Sequence, residues 1–264
     1  GNVRKHMKRT LLCGLLAAAA LCLPVQAARP ANLQVDGERL ETSAYVKDGT
    51  AYAPLRDLLE ALGDWNIWWD GDAARAVSED ASLAADPDGN VLTVNGTRYP
   101  CFVDVIEGRT YVPLRLTAEA LGGSVQWDPW LDGAAVTSPH AEHNAVDYYW
   151  LSRIIHAESG GEALEGQIAV GNVVLNRVAS GDFPDSIPGV IFDHENGVQF
   201  EPVANGTVTS QPTELSQEAA RRALSGENTA GDALYFFAPT LSQGTWIDSS
   251  RAYRQTIGCH RFYH

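Results

Sequence analysis

Apolar residues are distributed in three different ways along the chain of 264 residues, and each distribution predicts a different kind of structure. Leu11 to Leu23 is almost continuously apolar. Between residues 32 and 137, short alternating apolar stretches are broken by glycine and proline, which is typical of short strands and brief helices. From residue 145 to 264, apolar residues recur at helical spacing before aromatic, strand-like segments follow. The sequence therefore predicts an α+β fold with two domains.

The first apolar stretch has the features of an export signal. Basic residues precede it, and Val25-Gln26-Ala27 supplies the small residues that a signal peptidase needs. About 13 apolar residues are fewer than the roughly 20 that a helix needs to cross a bilayer. We therefore expect residues 1–27 to be cleaved, and the mature protein to be secreted without a membrane partner.

The second zone contains a duplication. VDGERL at Val35 recurs as VNGTRY at Val94, and GTAYAPLRDLLEALG at Gly49 recurs as GRTYVPLRLTAEALG at Gly108, each time 59 residues later. In each copy, V-x-G-x-R is typical of a tight turn between strands, and the leucine spacing after Y-x-P-L-R is typical of a short amphipathic helix. We expect copies at about 35–77 and 94–136 to form one α+β module over 32–137, followed by a polar linker at 138–144.

Two tryptophans of this zone, Trp68 and Trp127, occupy matching positions of the duplication. Matching positions in two copies of one fold have matching environments, so we expect both side chains to fill the same core position. The alternative is that they, together with Trp65, Trp69 and Trp130, stack on a glycan.

The duplicated V-x-G, T/A-Y-x-P-L-R and E-A-L-G elements resemble the copper amine oxidase N-terminal-like domain that is common on exported bacterial proteins. In that family the module is an appendage that carries neither the copper nor the quinone cofactor. The resemblance therefore implies no copper here.

The third zone begins with a helix that carries an acidic residue on its apolar face. After the candidate cap Asn144, the residues Leu151, Ile154, Ile155 and Glu158 follow at i, i+3, i+4 and i+7. Burial and the negative end of the helix dipole both disfavour an ionised carboxyl, so the pKa of this residue should be raised. A raised pKa suits a general acid. The alternative is that the glutamate simply ends its helix in solvent.

Other elements follow from the same patterns. Gly160 and Gly161 remove side chains beside the carboxyl, which favours close approach of a polymer, or else only end the helix. We expect further helices at 164–179 and 213–225, a short turn capped by Ser186, and strands in ALYFFAP, GTWI and QTIGCHRFYH.

The third zone resembles the SleB-type spore-cortex-lytic cell-wall hydrolase family. The motifs that carry the resemblance are R-I-I-H-A-E-S-G-G-E-A-x-x-G-Q-I-A-V-G-N-V-V-L-N-R-V, F-P-x-x-I-P-G-V-I-F, V-Q-F, L-Y-F-F-x-P and T-I-G-x-H-R-F-Y. They span residues 147–264. The resemblance implies a lysozyme-related α+β fold, Glu158 as the catalytic residue, and cleavage of the β-1,4 bond between N-acetylmuramic acid and N-acetylglucosamine by lytic transglycosylation. Ala163 stands where the family commonly has proline, which changes the stiffness of the loop.

One carboxyl suffices for that reaction. Glu158 would protonate the glycosidic oxygen and then accept the proton of the muramoyl C6 hydroxyl as an anhydro ring closes. Glu162 is the candidate second carboxylate if the enzyme is a hydrolytic muramidase, although a structural role is the preferred interpretation. Two different classes of protein also fit the sequence: a non-catalytic wall-binding or scaffold protein, and a metal-dependent amidase or peptidase.

Several polar and aromatic residues are candidates for substrate binding or for structural support. The amides Gln167 and Asn172 either face sugars or pin loops, and Asn176 is expected to pin a loop. Glu165 is expected to be solvated on a first helical turn. The candidates for lining a groove are Gln199, Phe200, Tyr235, Phe236, Phe237 and His260.

Charge and cysteine content limit the partners. The formal net charge is -14, and it becomes more negative when the basic signal is removed, which disfavours nucleic acid and anionic membranes. Peptidoglycan glycan strands are the expected partner of a monomeric, wall-associated protein.

Cys101 and Cys259 remain after the signal and are expected to be free, with a bridge between them as the alternative. The histidine and cysteine spacing indicates no metal site and no cofactor.

Overall fold

A computed structural model describes residues 27–195, 199–239 and 245–264. The predicted export signal lies outside these residues except for Ala27. Within them, the expected α+β class is confirmed, with a β-rich N-terminal half and a mostly helical C-terminal half. Among the helices that the structure describes, none is both long enough and apolar enough to cross a membrane.

The strands of the N-terminal half are β1 (Arg29–Pro30), β2 (Asn32–Val35), β3 (Glu38–Arg39), β4 (Tyr45–Lys47), β5 (Thr50–Pro54), β6 (Asn66–Trp69), β7 (Ala74–Val77), β8 (Ser82–Asp86), β9 (Val91–Val94), β10 (Thr97–Pro100), β11 (Asp104–Ile106), β12 (Arg109–Pro113), β13 (Ser124–Asp128) and β14 (Gly133–Thr137). Its helices are α1 (Leu55–Leu62) and α2 (Leu114–Ala120).

The elements of the C-terminal half are α3 (Ala145–Ser159), α4 (Leu164–Ser180), α5 (Ile187–Ile191), α6 (Glu201–Asn205), α7 (Glu214–Leu224), β15 (Tyr235–Phe237), α8 (Thr245–Ser250), β16 (Tyr253–Ile257) and β17 (His260–Tyr263). A 3₁₀ turn at Thr207–Thr209 follows α6.

The two copies of the duplicated module are related by a local twofold axis. Strands β5 and β12 pair antiparallel, with Ala53 opposite Val112, Tyr52 opposite Pro113 and Pro54 opposite Tyr111. Ala53 and Val112 are equivalent residues of the two copies. When equivalent residues face each other across an antiparallel pair, a twofold axis passes between them. The axis therefore lies at the pair formed by Ala53 and Val112.

The two copies also exchange strands. One sheet has the order β10-β9-β8-β7-β6 and another has the order β13-β14-β2-β3, so each combines strands of both copies. The connecting strand β8 separates β7 from β9, whereas β14 pairs directly and in parallel with β2. The third sheet, β1-β4-β5-β12-β11, contains the twofold axis.

Tight turns connect the hairpins of both copies. Asp36-Gly37, Asp48-Gly49, Asn95-Gly96 and Glu107-Gly108 have positive φ at both residues, which is the type I′ geometry that suits the twist of paired strands. Two of these dipeptides belong to the V-x-G-x-R motif, so the predicted turns are confirmed.

The expected core position of Trp68 and Trp127 is wrong. Their side chains are 40% and 41% exposed. They lie on β6 and β13, which are edge strands with a neighbour on one side only, and this leaves room for a large side chain to reach solvent. Trp65, in contrast, packs against the core of the module.

The C-terminal half is built around α3. Asn144 accepts hydrogen bonds from the backbone N–H groups of Val146 and Asp147, so the predicted cap is confirmed. Leu151, Ile154 and Ile155 are buried where α3 packs against α4, α5 and α7. The predicted cap Ser186 of α5 is likewise confirmed, and Thr213, which was expected to begin the helix, caps α7 instead.

A small sheet of order β15-β17-β16 completes the C-terminal half. The strand predicted for GTWI is wrong, because the helix α8 begins at Thr245. Two consecutive apolar residues in that stretch provide too little alternation to define a strand.

The two halves are in direct contact. The indole Nε1 of Trp150 on α3 donates a hydrogen bond to Oδ2 of Asp128 on β13 over 2.7 Å, and both residues are buried. Trp130 stacks on Phe192 with ring centroids 5.5 Å apart. The segment between the halves is also bonded, since the N–H of Ser138 donates to Asp36 Oδ1 over 2.7 Å.

Candidate active site

Glu158 lies at the wall of an open cleft of about 480 Å³ in the C-terminal half. The last turn of α3 supplies the glutamate, and the other lining residues come from α4, from α6 and the residues flanking it, from β15 and from β17. Lining side chains that bear on the chemistry are Arg177, Gln199, Phe200, Glu201, Phe236 and His260. A cleft of this size with aromatic and polar walls is within the range of small-molecule sites, roughly 300–1,000 Å³.

The pKa of Glu158 is raised from 4.5 to about 7. Burial is the largest cause, because a buried carboxylate loses hydration. The neighbouring carboxylate of Glu201 raises the pKa further, and the guanidinium of Arg177 lowers it. Within the part of the chain that the structure describes, the carboxyl forms no hydrogen bond or ion pair. A group in this state holds its proton near neutral pH and still releases it readily.

Arg177 on α4 fixes a positive charge in the wall of the cleft. Its Nε donates to the backbone oxygen of Leu234 over 2.8 Å, and Nη1 donates to Gln199 Oε1 over 3.4 Å. The guanidinium also packs over the rings of Phe200 and Tyr235, each 5.2 Å away. Burial lowers the pKa of Arg177 to about 10, so the side chain stays cationic at neutral pH.

Sequence reasoning missed Arg177 and Glu201 as members of this site. Glu201 begins α6 directly after Phe200, in an E-P sequence typical of a helix start. That local pattern explains the residue as a helix-terminal charge and gives no indication that α6 contacts α3. Arg177 is part of the L-N-R-V motif, where an arginine near a helix C-terminus has an equally ordinary explanation.

Glu162 does not lie in the lining of the cleft. Its carboxylate accepts one hydrogen bond from the thiol of Cys259 over 2.5 Å and another from the backbone N–H of Cys259 over 3.2 Å. These bonds hold the turn between β16 and β17, and they lower the pKa of Glu162. Gly258 in that turn has φ +57, and a Cβ there would overlap Glu162 Oε2. The structural role preferred for Glu162 is therefore observed, because its carboxylate accepts a hydrogen bond from the backbone N–H of Cys259.

His260 connects this turn with the cleft. Its ring lines the cleft, packs edge-on against Phe236 at 5.3 Å and is 3.7 Å from the thiol of Cys259. Burial lowers the pKa of His260, which favours the neutral imidazole. Possible metal-ligand atoms of Glu162, Cys259 and His260 lie within 4.8 Å of one another, but the thiol and carboxylate already bond each other. Cys101 and Cys259 are free, as expected.

The amides Gln167 and Asn172 are placed away from the cleft. Gln167 Nε2 donates to the backbone oxygen of Glu162, and its Oε1 accepts from Ser216. Asn172 bonds the backbone of Glu227 and Thr229. Their polar atoms are thus used to pin loops, and the structure does not bring either residue to the cleft as a sugar ligand. Asn176 also pins a loop, and Glu165 is exposed, both as expected.

Of the remaining residues expected to line the groove, four lie in the lining of the cleft and one does not. Gln199, Phe200, Phe236 and Phe237 line the cleft with Glu158. Tyr235 lies behind Arg177 and contacts the ring of Phe183, so it supports the guanidinium instead of forming the lining.

The two glycines after Glu158 have different surroundings. A Cβ on Gly160 would lie 2.6 Å from the backbone oxygen of His156, whereas a Cβ on Gly161 would meet nothing within 4 Å. Gly160 is therefore required for packing inside the end of α3. The interpretation that these glycines let a polymer approach the carboxyl remains a prediction.

A buried acid with a pKa near neutrality, set at the end of a helix and opening onto a cleft, is typical of enzymes that use general acid catalysis. Comparison with known proteins defines the family. A family model described as Cell Wall Hydrolase matches residues 161–263, beginning just after Glu158. A model described as Copper amine oxidase N-terminal domain matches residues 34–137. The chain belongs to the cell wall hydrolase family.

Relatives of known name share the C-terminal half. The cell wall hydrolase CwlJ of Oceanobacillus iheyensis is 31% identical over 104 residues, which are 37% of this chain and 72% of that protein. The spore cortex-lytic enzyme of Bacillus subtilis (strain 168) is 37% identical over 131 residues, 50% of this chain. The match spans only 41% of that enzyme's length.

A solved structure is also similar in sequence. The catalytic domain of the germination-specific lytic transglycosylase SleB from Bacillus anthracis is 35% identical, and the match covers 47% of this chain and 98% of that chain with a TM-score of 0.43.

Proposed function

We propose that this chain cleaves the glycan strands of peptidoglycan at the β-1,4 bond between N-acetylmuramic acid and N-acetylglucosamine, as an exported lytic transglycosylase. The observation that carries the proposal is the carboxyl of Glu158, which is buried, opens onto a cleft and has a pKa of about 7. The names of the relatives, a spore cortex-lytic enzyme and a cell wall hydrolase, support the choice of polymer.

Glu158 alone supplies both proton transfers of this reaction. The protonated carboxyl donates to the glycosidic oxygen as the bond to the muramoyl C1 breaks. The resulting carboxylate then accepts the proton of the C6 hydroxyl of the same sugar, whose oxygen bonds C1 and closes the anhydro ring. Because the attacking hydroxyl is already attached to the reacting sugar, no water has to be activated.

Hydrolysis is the second candidate, because a second carboxylate lies in the same cleft. Glu201 is close enough to raise the pKa of Glu158, whereas Glu162 is held at the turn next to β17. In a muramidase, Glu201 would accept the proton of an attacking water, or stabilise the developing positive charge at C1.

Mass spectrometry of the fragments released from purified peptidoglycan tests the proposal. We expect anhydromuramoyl ends, and a fall in rate of about 10²- to 10⁴-fold for Glu158→Gln, the range typical of a general acid. Reducing muramic acid ends that disappear in Glu201→Gln would indicate a muramidase. Release of no fragments by the native chain would contradict both and favour a wall-binding scaffold. Activity lost on chelation would favour a metal-dependent enzyme.

A further inference from the structure

Two clefts on the duplicated module, outside the site of Glu158, have the same construction. The first has a volume of about 210 Å³ and is lined by Trp68, Arg56 and the hairpin residues Gly108 and Arg109. The second has a volume of about 720 Å³ and is lined by Trp127, Arg115, Gly49 and Thr50. The residues named for the two clefts are equivalent in pairs that lie 59 residues apart in the sequence: Trp68 with Trp127, Arg56 with Arg115, Gly108 with Gly49, and Arg109 with Thr50.

The twofold axis explains why the clefts are equivalent. It passes between Ala53 and Val112, so it exchanges the two copies as whole units. Each cleft takes its tryptophan and its helical arginine from one copy and its strand wall from the other. Neither copy alone contains a complete cleft. The duplication therefore builds one kind of site twice, at the contact between the copies.

The arginines of the two clefts are held in matching ways. Arg56 is 3.4 Å from Glu60, and Arg115 is 3.3 Å from Glu119, each one helical turn further along. Arg115 also donates to the backbone oxygen of Val125 over 2.7 Å. All four of these charged side chains are more than half exposed, so the guanidinium groups are accessible to a ligand.

The chemistry of the clefts suits a sugar ring. An exposed indole beside guanidinium N–H groups provides an apolar surface next to hydrogen-bond donors. A pyranose ring is complementary to this combination, because one face carries C–H groups while hydroxyl and acetamido oxygens project from its edge. In the second cleft, the guanidinium of Arg29 lies over the ring of Trp127, 5.2 Å from its centroid, and adds further donors beside the indole.

We propose that the duplicated module binds an N-acetylated glycan strand through two equivalent clefts, floored by Trp68 and Trp127. A ligand made of repeating units is matched by a site that is repeated, and two sites on one module raise the apparent affinity through avidity. The identity of the polymer as peptidoglycan rests on the proposed function. The module therefore holds the strand on which Glu158 acts.

Retention on insoluble peptidoglycan tests this inference in the full chain carrying Glu158→Gln, so that the polymer is not consumed. We expect Trp68→Ala and Trp127→Ala each to weaken binding by about threefold to tenfold, and the double variant to lose more than either. Soluble N-acetylglucosamine oligomers should compete with the polymer for the unsubstituted clefts. Phe102→Ala is the matched control, since it removes an exposed aromatic ring of the same module that lines neither cleft.

Three outcomes would overturn the inference: unchanged retention in the double variant, an equal loss in Phe102→Ala, or Trp-dependent self-association that identifies a second copy as the occupant. Thermal melting of each variant shows whether it is folded. Competition by the soluble oligomers is measured on a chain with both clefts intact, so its result does not depend on whether a tryptophan variant folds. Trp-dependent retention by a native chain that releases no fragments would contradict the proposed function and leave the clefts as binding sites.

Discussion

Glu201 and Glu158 line the same cleft, and the carboxylate of Glu201 adds to the effect of burial in raising the pKa of Glu158 to about 7. Helix α6 supplies one carboxyl and helix α3 the other. The state of the proposed catalytic proton therefore depends on how two helices separated in sequence pack together, and the first two predictions follow from this relationship.

The pH profile of cleavage should shift when Glu201 is neutralised. Glu201→Gln removes a negative neighbour, so the pKa of Glu158 should fall and its protonated form should be lost at lower pH. Because the acid must be protonated to react, the alkaline limb of the rate profile should move to lower pH. Rates of fragment release between pH 5 and 9 measure the shift.

The control for this prediction is Glu165→Gln, which neutralises an exposed glutamate outside the cleft. Its profile should match that of the native chain. An alkaline limb that moves to higher pH in Glu201→Gln would contradict the electrostatic relationship between the two carboxyls.

Replacing Glu158 should stabilise the fold at alkaline pH. The folded-state pKa of about 7 is above the ordinary value of 4.5, so the folded protein binds more protons than the unfolded chain between these values. The free energy of unfolding therefore falls as the pH rises through this window, by at most about 3 kcal/mol. Glu158→Gln removes this loss.

Urea denaturation at pH 4 and pH 8 measures the effect. Glu158→Gln should be more stable than the native chain at pH 8 and nearly equal to it at pH 4. A variant that gains stability equally at both values would point to packing instead of ionisation.

Contact between the two halves can be tested through a pair of equivalent glycines. Gly37 and Gly96 occupy the same position in the two copies, both with positive φ, at +89 and +81. A Cβ on Gly37 would lie 2.2 Å from Tyr148 Cδ1, whereas a Cβ on Gly96 would meet nothing within 4 Å. Gly96→Ala should therefore cost only the strain of the left-handed backbone, about 1–2 kcal/mol.

Gly37→Ala should cost more than Gly96→Ala, because Tyr148 on α3 must also move. Thermal melting compares the two variants, and limited proteolysis of residues 138–144 reports on the contact between the halves. Equal melting temperatures would indicate that the contact of Gly37 with Tyr148 contributes nothing to stability.

Local patterns in the sequence predicted the elements well. The repeat predicted equivalent hairpins, and the spacing of Leu151, Ile154 and Ile155 predicted a buried helix that carries Glu158 at its end. These features depend on neighbours in sequence, which a periodic pattern records directly.

Features that depend on contacts between distant segments were not predicted. Trp127 has room to reach solvent because no further strand pairs with β13 at that edge, and no residue near Trp127 signals this. The proximity of Glu201 to Glu158 similarly depends on the contact of α6 with α3, which is distant in sequence. A glutamate that begins a helix has a sufficient local explanation, so no local signal indicates its distant neighbour.

The separate tasks of Glu158 and Glu162 lead to the last prediction. Glu162→Ala removes the acceptor of the thiol and backbone N–H of Cys259, so the turn between β16 and β17 should lose stability by about 1 kcal/mol. Because this side chain lies outside the cleft lining, the turnover of the folded variant should remain within a few-fold of the native value.

Melting temperature and kcat measured on the same preparation separate the two effects, with Glu165→Ala as the control for removing a nearby acidic residue. A folded Glu162→Ala as inactive as Glu158→Gln would show that Glu162 is a catalytic carboxylate after all.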